Sequence, residues 1–346
     1  MRIVKFIFFA AIFLSISACE HAPILKPPSD NPAKLYVANS GDGTVSVINT
    51  AQNEIMKTIN IGVSPSTIAV SDERRSVYVA SYASKQIVVI DAETDVIKNT
   101  IVLPGSPLHL VAGSNNMAYV NIDPDLTMGS DAYVGGIKLD QNFFVDSLYF
   151  DGRFCNSLQY LAYSRSGILY GVSQIWPTCD YFRPPQPFTV DTKTGNRISV
   201  TTFSSRIIKL SPDQRILHIV GEDFLGEANE RLFAFDTEQR KMVKDTAIKT
   251  ILAEITLSPD GERAYVGSAV ENKILIYNLS SYSLEDSIMV PSTVADLSVS
   301  ADNQFIYISH SRTNKVTAVD LRTKIIEKEI TVGEKPNALA LFPPPF

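Results

Sequence analysis

From residue 35 onward the chain is written in short alternating bursts. LYVAN at 35–39, VYVAS at 77–81, AYVGS at 264–268 and IYISH at 306–310 are rich in β-branched and aromatic residues, with polar turn residues between such runs. Runs of this length bounded by Gly, Pro, Asp and Asn predict β-strands. An aromatic or His recurs in them at Tyr36, Tyr78, Tyr119, Tyr170, His218, Tyr265 and Tyr307, in steps of 42, 41, 51, 48, 47 and 42 residues. A second register is an Asn or Asp closing the next strand: Asn49, Asp91, Asp140, Asp191, Asp236, Asn278 and Asp320. A third is an aliphatic residue in the preceding strand: Ile68, Leu110, Leu161, Ile208, Ile255, Leu297 and Leu339. Each unit reads as four short strands joined by turns such as Ser258-Pro259-Asp260-Gly261.

A lone four-stranded sheet cannot bury both of its faces, whereas sheets stacked around an axis can. The pattern therefore predicts an all-β chain folded as a seven-bladed β-propeller over residues 35–346. The first unit opens in its second strand, and KPNALALF at 335–342 matches a first strand. The C-terminal strand is thus expected to pair with the N-terminal strands and close the ring.

YVANSGDGTVSVINT at 36–50, VYVASYASKQIVVIDAET at 77–94 and SPDGERAYVGSAVENKILIYN at 258–278 resemble the YVTN-type β-propeller repeat. The resemblance covers residues 35–346, strongly in units 1, 2, 6 and 7 and weakly in units 3 to 5. It implies a propeller often exported to the cell envelope, and no particular activity, because this fold hosts enzymes and binding platforms alike.

Residues 1–34 carry a different message. Arg2 and Lys5 precede an apolar run, Phe6 to Leu14, that is short for a membrane span. Ile16-Ser17-Ala18-Cys19 then resembles a bacterial lipoprotein signal box, which implies removal of residues 1–18 and lipidation of Cys19. Glu20, in place of the Asp that retains such proteins at the inner membrane, implies the outer membrane. Residues 19–34, with four prolines, read as a tether between lipid anchor and folded body.

Composition narrows the function classes. The 346 residues carry Lys+Arg 31 and Asp+Glu 37, a net charge of −6, with no basic stripe of the kind a nucleic-acid binder presents. Without residues 1–18 the balance becomes (31 − 2) − 37 = −8. Three Cys and four His, with no CxxC, HExxH, P-loop, GxGxxG or GxSxG, point to no cofactor and no metal.

Departures from the repeat locate candidate sites. The distance from aromatic to Asn or Asp is 13 residues in units 1, 2, 6 and 7, but 21, 21 and 18 in units 3, 4 and 5. Three neighbouring blades thus lengthen the same loop, and equivalent loops rise on one face of a propeller. Candidate binding residues on this ridge are Asp123, Asp125 and Tyr133 in blade 3, Trp176, Tyr181, Phe182 and Arg183 in blade 4, and Glu222, Asp223 and Phe224 in blade 5. Aromatics and Arg are what binding hot spots use. Cys155 and Cys179, both on connections of that face, are expected to form a disulfide that pins the blade 4 loop.

Aligned repeats also place Thr67, His109, Tyr160, Ile207, Glu254, Asp296 and Ala338 at the start of the innermost strand, around the channel mouth. Glu254 and Asp296 with His109 could hold a cation or exchange protons. His310, with Arg312, ends the second strand of blade 7 on the same face and is a further rim candidate. The expected function is a monomeric, non-enzymatic cell-envelope lipoprotein. It would bind a protein, peptide or glycan through the long loops of blades 3 to 5, and touch the membrane through its anchor alone. The alternative is a lactonase-like or other hydrolase with its site at the channel mouth.

Overall fold

The computed structural model describes residues 33–113, 116–123, 133–148, 156–175, 186–194, 197–199, 205–222 and 230–343. Among them are 28 strands and no helix, arranged as seven antiparallel four-stranded sheets. Residues Pro32–Phe346 form one compact unit. Each blade uses four consecutive strands except the first, in which Pro336–Phe342 supplies the innermost strand. It pairs with Lys34–Asn39 in the register Leu35↔Leu341 and Val37↔Leu339, so the two ends of the chain share one sheet. The seven-bladed ring closes as the repeat predicts, and closure removes the sheet edges a broken ring would expose.

The registers read from the sequence have distinct structural meanings. All seven aliphatic residues of the innermost strands are buried, from Ile208 at 1% exposure to Leu339 at 9%. They stack between neighbouring blades, as Leu297 and Ile308 of blade 7 do with Ile274 and Ile288 of blade 6. The Asn or Asp register caps the outer hairpin. Asp91 Oδ1, for example, accepts the N–H groups of Glu93 and Thr94 at 2.9 and 2.8 Å, satisfying donors that the turn strips from the ladder.

Blade 3 corrects one assignment. Its third strand pairs Met117↔Lys138, the ladder position that Asn49, Asp191 and Asp236 occupy in blades 1, 4 and 5, so Lys138 and not Asp140 stands in this register. The blade 3 spacing is therefore 138 − 119 = 19 residues, and its insertion is 6 residues, not 8. The three lengthened connections still coincide: they join the second and third strands after Asp123, Ile175 and Glu222.

Candidate functional site at the channel mouth

The seven mouth positions are equivalent in hydrogen-bond register. Each pairs with the residue two beyond the repeat aromatic: Thr67↔Ala80, His109↔Asn121, Tyr160↔Val172, Ile207↔Val220, Glu254↔Gly267, Asp296↔Ser309 and Ala338↔Ala38. In blades 2, 5 and 7 the mouth residue opens the innermost strand. In blades 1, 3, 4 and 6 the register slips by one residue just before it, inserting Asn337, Leu108, Gln159 and Ala253. Such a bulge turns the strand and re-aims the side chain that follows.

Five consecutive blades, 3 to 7, contribute ionisable or aromatic groups to one cluster. Tyr160 Oη donates to Glu254 Oε2 at 3.2 Å, and Lys209 Nζ lies 3.3 Å from Glu254 Oε1, which also accepts the Ile255 N–H at 3.0 Å. His109 accepts the Leu161 N–H on Nδ1 at 3.2 Å, and its ring lies 5.1 Å from that of Tyr160. That bond leaves the proton of the neutral imidazole on Nε2. Asp296 accepts two backbone N–H groups at 2.7 Å, Leu297 on Oδ1 and Leu339 of the closing strand on Oδ2. Arg206, next to the mouth residue of blade 5, pairs with Glu230, whose Oε2 accepts the Leu252 N–H of blade 6 at 2.7 Å.

Poor solvation makes these charges strongly interdependent. Burial first, and the Glu254 charge second, push the Asp296 carboxyl up to about 7. Burial works against the Lys209 ammonium, yet Glu254 and Asp296 outweigh it and hold that pKa above its ordinary value. Burial, and then Lys209, push His109 down to about 3, so its ring is neutral at physiological pH. The Glu254 charge, with burial, holds the Tyr160 phenol far above its ordinary range. At neutral pH the Lys209 ammonium thus faces an Asp296 carboxyl close to half-ionised, beside the two neutral rings of His109 and Tyr160.

Lys209 escaped the sequence reading although its signal was there. It lies two residues beyond the mouth on the innermost strand, where the other blades carry Ala69, Val111, Ala162, Thr256, Ser298 and Ala340. It is the one charged residue in a layer of small or apolar ones.

The other candidates fare differently. Asp123 is buried at 8% exposure and accepts a 3.1 Å hydrogen bond from Tyr82 on Oδ2, and Tyr133 packs against the core between blades 2 and 3. His310 corrects the expectation of a rim residue. It is 1% exposed, with Nδ1 3.0 Å from the Thr293 carbonyl and Nε2 2.9 Å from Thr317 Oγ1, so it ties its strand to the next strand of blade 7 and to the connection that enters that blade. Arg312 is exposed on the short connection between the second and third strands of that blade, and Thr67 is buried. Cys19, Asp125, Cys155, Trp176, Cys179, Tyr181, Phe182, Arg183, Asp223 and Phe224 lie outside the described residues, and of Glu222 only the strand position is described. Among the described residues no group of His, Cys, Asp or Glu is arranged to hold a metal ion.

No family model matches the chain, and no curated protein does. Solved structures do match. Hydrazine synthase of Kuenenia stuttgartiensis is similar at 14% identity and a TM-score of 0.70, over 83% of this chain and 92% of that one. A 6-phosphogluconolactonase, so named provisionally, from Bacteroides fragilis is similar at 16% identity and 0.67, over 91% and 99%. Apo AztD of Citrobacter koseri is similar at 13% identity and 0.59, over 89% and 97%. Likeness at these identities is a likeness of fold.

Proposed function

We propose that the chain is a lipid-anchored cell-envelope binding protein whose looped face docks a protein, peptide or glycan. One observation carries this reading: the strands that lead into the long connections end beside the ionisable mouth. The pairs Ser106↔Asp123, Asn156↔Ile175 and Ile207↔Val220 set the starts of three innermost strands beside the ends of the strands that lead into the long connections of blades 3, 4 and 5. Loops on a rigid scaffold are where binding function concentrates. The YVTN-type repeat, the Cys19 signal box and Glu20 support an exported, outer-membrane location for a monomer facing a partner of the envelope.

The test is a crosslinking pull-down from intact envelopes. It compares the full protein with a chain whose blade 3 to 5 connections are cut to the spacing of the short blades. Partners lost with the loops support the docking face; an unchanged set of partners rejects it. Membrane fractionation of Cys19→Ala tests the anchor, with release from the membrane as the expected result.

A hydrolase at the channel mouth is the second reading, favoured by one feature. Glu254 and Asp296 form an acid pair in which one carboxyl is held close to neutrality, the state a general acid needs. Turnover of a lactone or ester that Glu254→Gln abolishes would establish it over the binding reading.

A further inference from the structure

We infer that the channel mouth recognises a cationic group, an ammonium or guanidinium, held by Glu254 and Asp296 beside the rings of Tyr160 and His109. This rests on the binding reading above and specifies the chemistry of what reaches the centre of the looped face.

The charge count carries the argument. Two carboxylates share a poorly solvated space with one ammonium, and that ammonium pairs with Glu254. Asp296 has two backbone N–H donors and, among the described residues, no ion pair, and the nearby Arg206 is taken by Glu230, so the cluster is one positive charge short. Buried carboxylates are stable when paired and fully hydrogen-bonded, and otherwise take up a proton. The raised pKa of Asp296, facing Glu254 from blade 6 and Lys209 from blade 5, agrees with that deficit. An anion would meet two carboxylates here, and an apolar group would leave them unbalanced.

Two further observations point to capacity beyond what the blades use. Asn121, the register partner of His109, is 0% exposed, and neither its amide oxygen nor its nitrogen has a partner. Ser309, the register partner of Asp296, is also 0% exposed with an unpartnered Oγ. Residues directly opposite in an antiparallel pair share a face of the sheet, so these groups lie on the same side as the cluster's own His and Asp. The tilted Tyr160 and His109 rings add π-faces, which attract desolvated cations.

The ligand's charge then replaces the proton on Asp296. Binding releases the Asp296 proton increasingly as pH falls below about 7 and weakens in acid, because more of the molecules carry a proton that the cation must displace. The probe is 1,4-diaminobutane, titrated calorimetrically into the full chain at about pH 8 and about pH 5, with butane-1,4-diol as the uncharged control. Saturable diamine binding is expected at the higher pH with little proton exchange, and roughly tenfold or more weaker binding, accompanied by release of the Asp296 proton, at the lower pH, with no diol binding. Glu254→Gln should weaken it by about tenfold or more, and Lys209→Met, which removes the internal competitor, should strengthen it. Absence of saturable binding at both pH values, equal binding of the diol, or weaker binding by folded Lys209→Met overturns the inference. The pH and diol comparisons use the unaltered protein, so they decide the matter even if a variant fails to fold. Diamine binding that persists when envelope partners are not captured leaves this site standing and removes the docking reading. The reverse result removes only the site.

Discussion

Tyr307 Oη of blade 7 donates a 2.8 Å hydrogen bond to Asn53 Oδ1 of blade 1, across the seam where the ring closes. Asn53 sits in the outer hairpin with φ 53, a left-handed position that Asn tolerates. Tyr36 of blade 1 reaches Asp95 Oδ1 of blade 2 in the same way at 2.5 Å, where φ is 56. Between blades 5 and 6 the partners exchange roles: His218 holds the aromatic position, and Tyr282, with φ 57, brings its hydroxyl to 3.0 Å from His218 Nδ1. The repeat aromatic is thus a latch from each of these blades to the next. Tyr307→Phe leaves the Asn53 oxygen without this donor and should lower stability by about 1–2 kcal/mol, read from the urea unfolding midpoint.

A stronger latch joins blades 1 and 2. Lys34 is 3% exposed, donates to Asp95 Oδ2 at 2.7 Å and to the Ala92 carbonyl at 3.0 Å, and meets the Tyr36 hydroxyl at that carboxylate. Lys34→Met strands the Asp95 carboxylate in the interior, and breaking such a pair from one side costs about 3–5 kcal/mol. The double variant Lys34→Met/Asp95→Asn should recover much of that loss in the same denaturation experiment.

Removing residues 336–346 should do far more harm than trimming a tail. Leu339 and Leu341 are 9% and 4% exposed and belong to the core shared by blades 1 and 7, and Asp296 loses the Leu339 N–H. The truncated chain is expected to lose cooperative unfolding and to self-associate through the bared edge of Lys34–Asn39. Thermal unfolding by circular dichroism with light scattering checks both.

Stability should rise from acid towards neutrality. Asp296 has a folded pKa of about 7, above its ordinary 3.8, so its contribution is full below about 3.8 and is lost progressively as pH rises from there to about 7. His109 and His218 are pushed by burial to about 3 and about 4, so they stay neutral when folded and oppose folding as pH drops below their ordinary 6.5. Each unit of pKa difference is worth about 1.4 kcal/mol. The two histidines outweigh the one carboxyl, so the unfolding midpoint should rise from about pH 4 to about pH 6.5 and level off above about pH 7. Asp296→Asn should steepen the rise between about pH 4 and about pH 6.5, and a midpoint that keeps rising past about pH 8 contradicts the assignment.

The fold was legible because a propeller repeats one local solution. Tyr36 and Tyr78, or Ile255 and Leu297, recur at the same places in the chain since each blade buries the same positions against the next. Where the periodic signal faded, the reading slipped, as at Asp140, which lies two residues beyond the true ladder position Lys138. His310 was misread for a related reason: standing at a strand end in sequence does not reveal that both ring nitrogens are claimed by Thr293 and Thr317.

By itself the sequence determined the number of blades, the closing strand, the loops that lengthen and the positions at the mouth, because all of these follow from local alternation and its period. Tertiary structure alone decided which mouth residues act together. Tyr160, Lys209, Glu254 and Asp296 come from four separate blades and are neighbours only because the ring brings the innermost strands around one axis. Their charges depend on that enclosure: the same carboxyl in an extended chain would be solvated and fully ionised, and in the channel it is not.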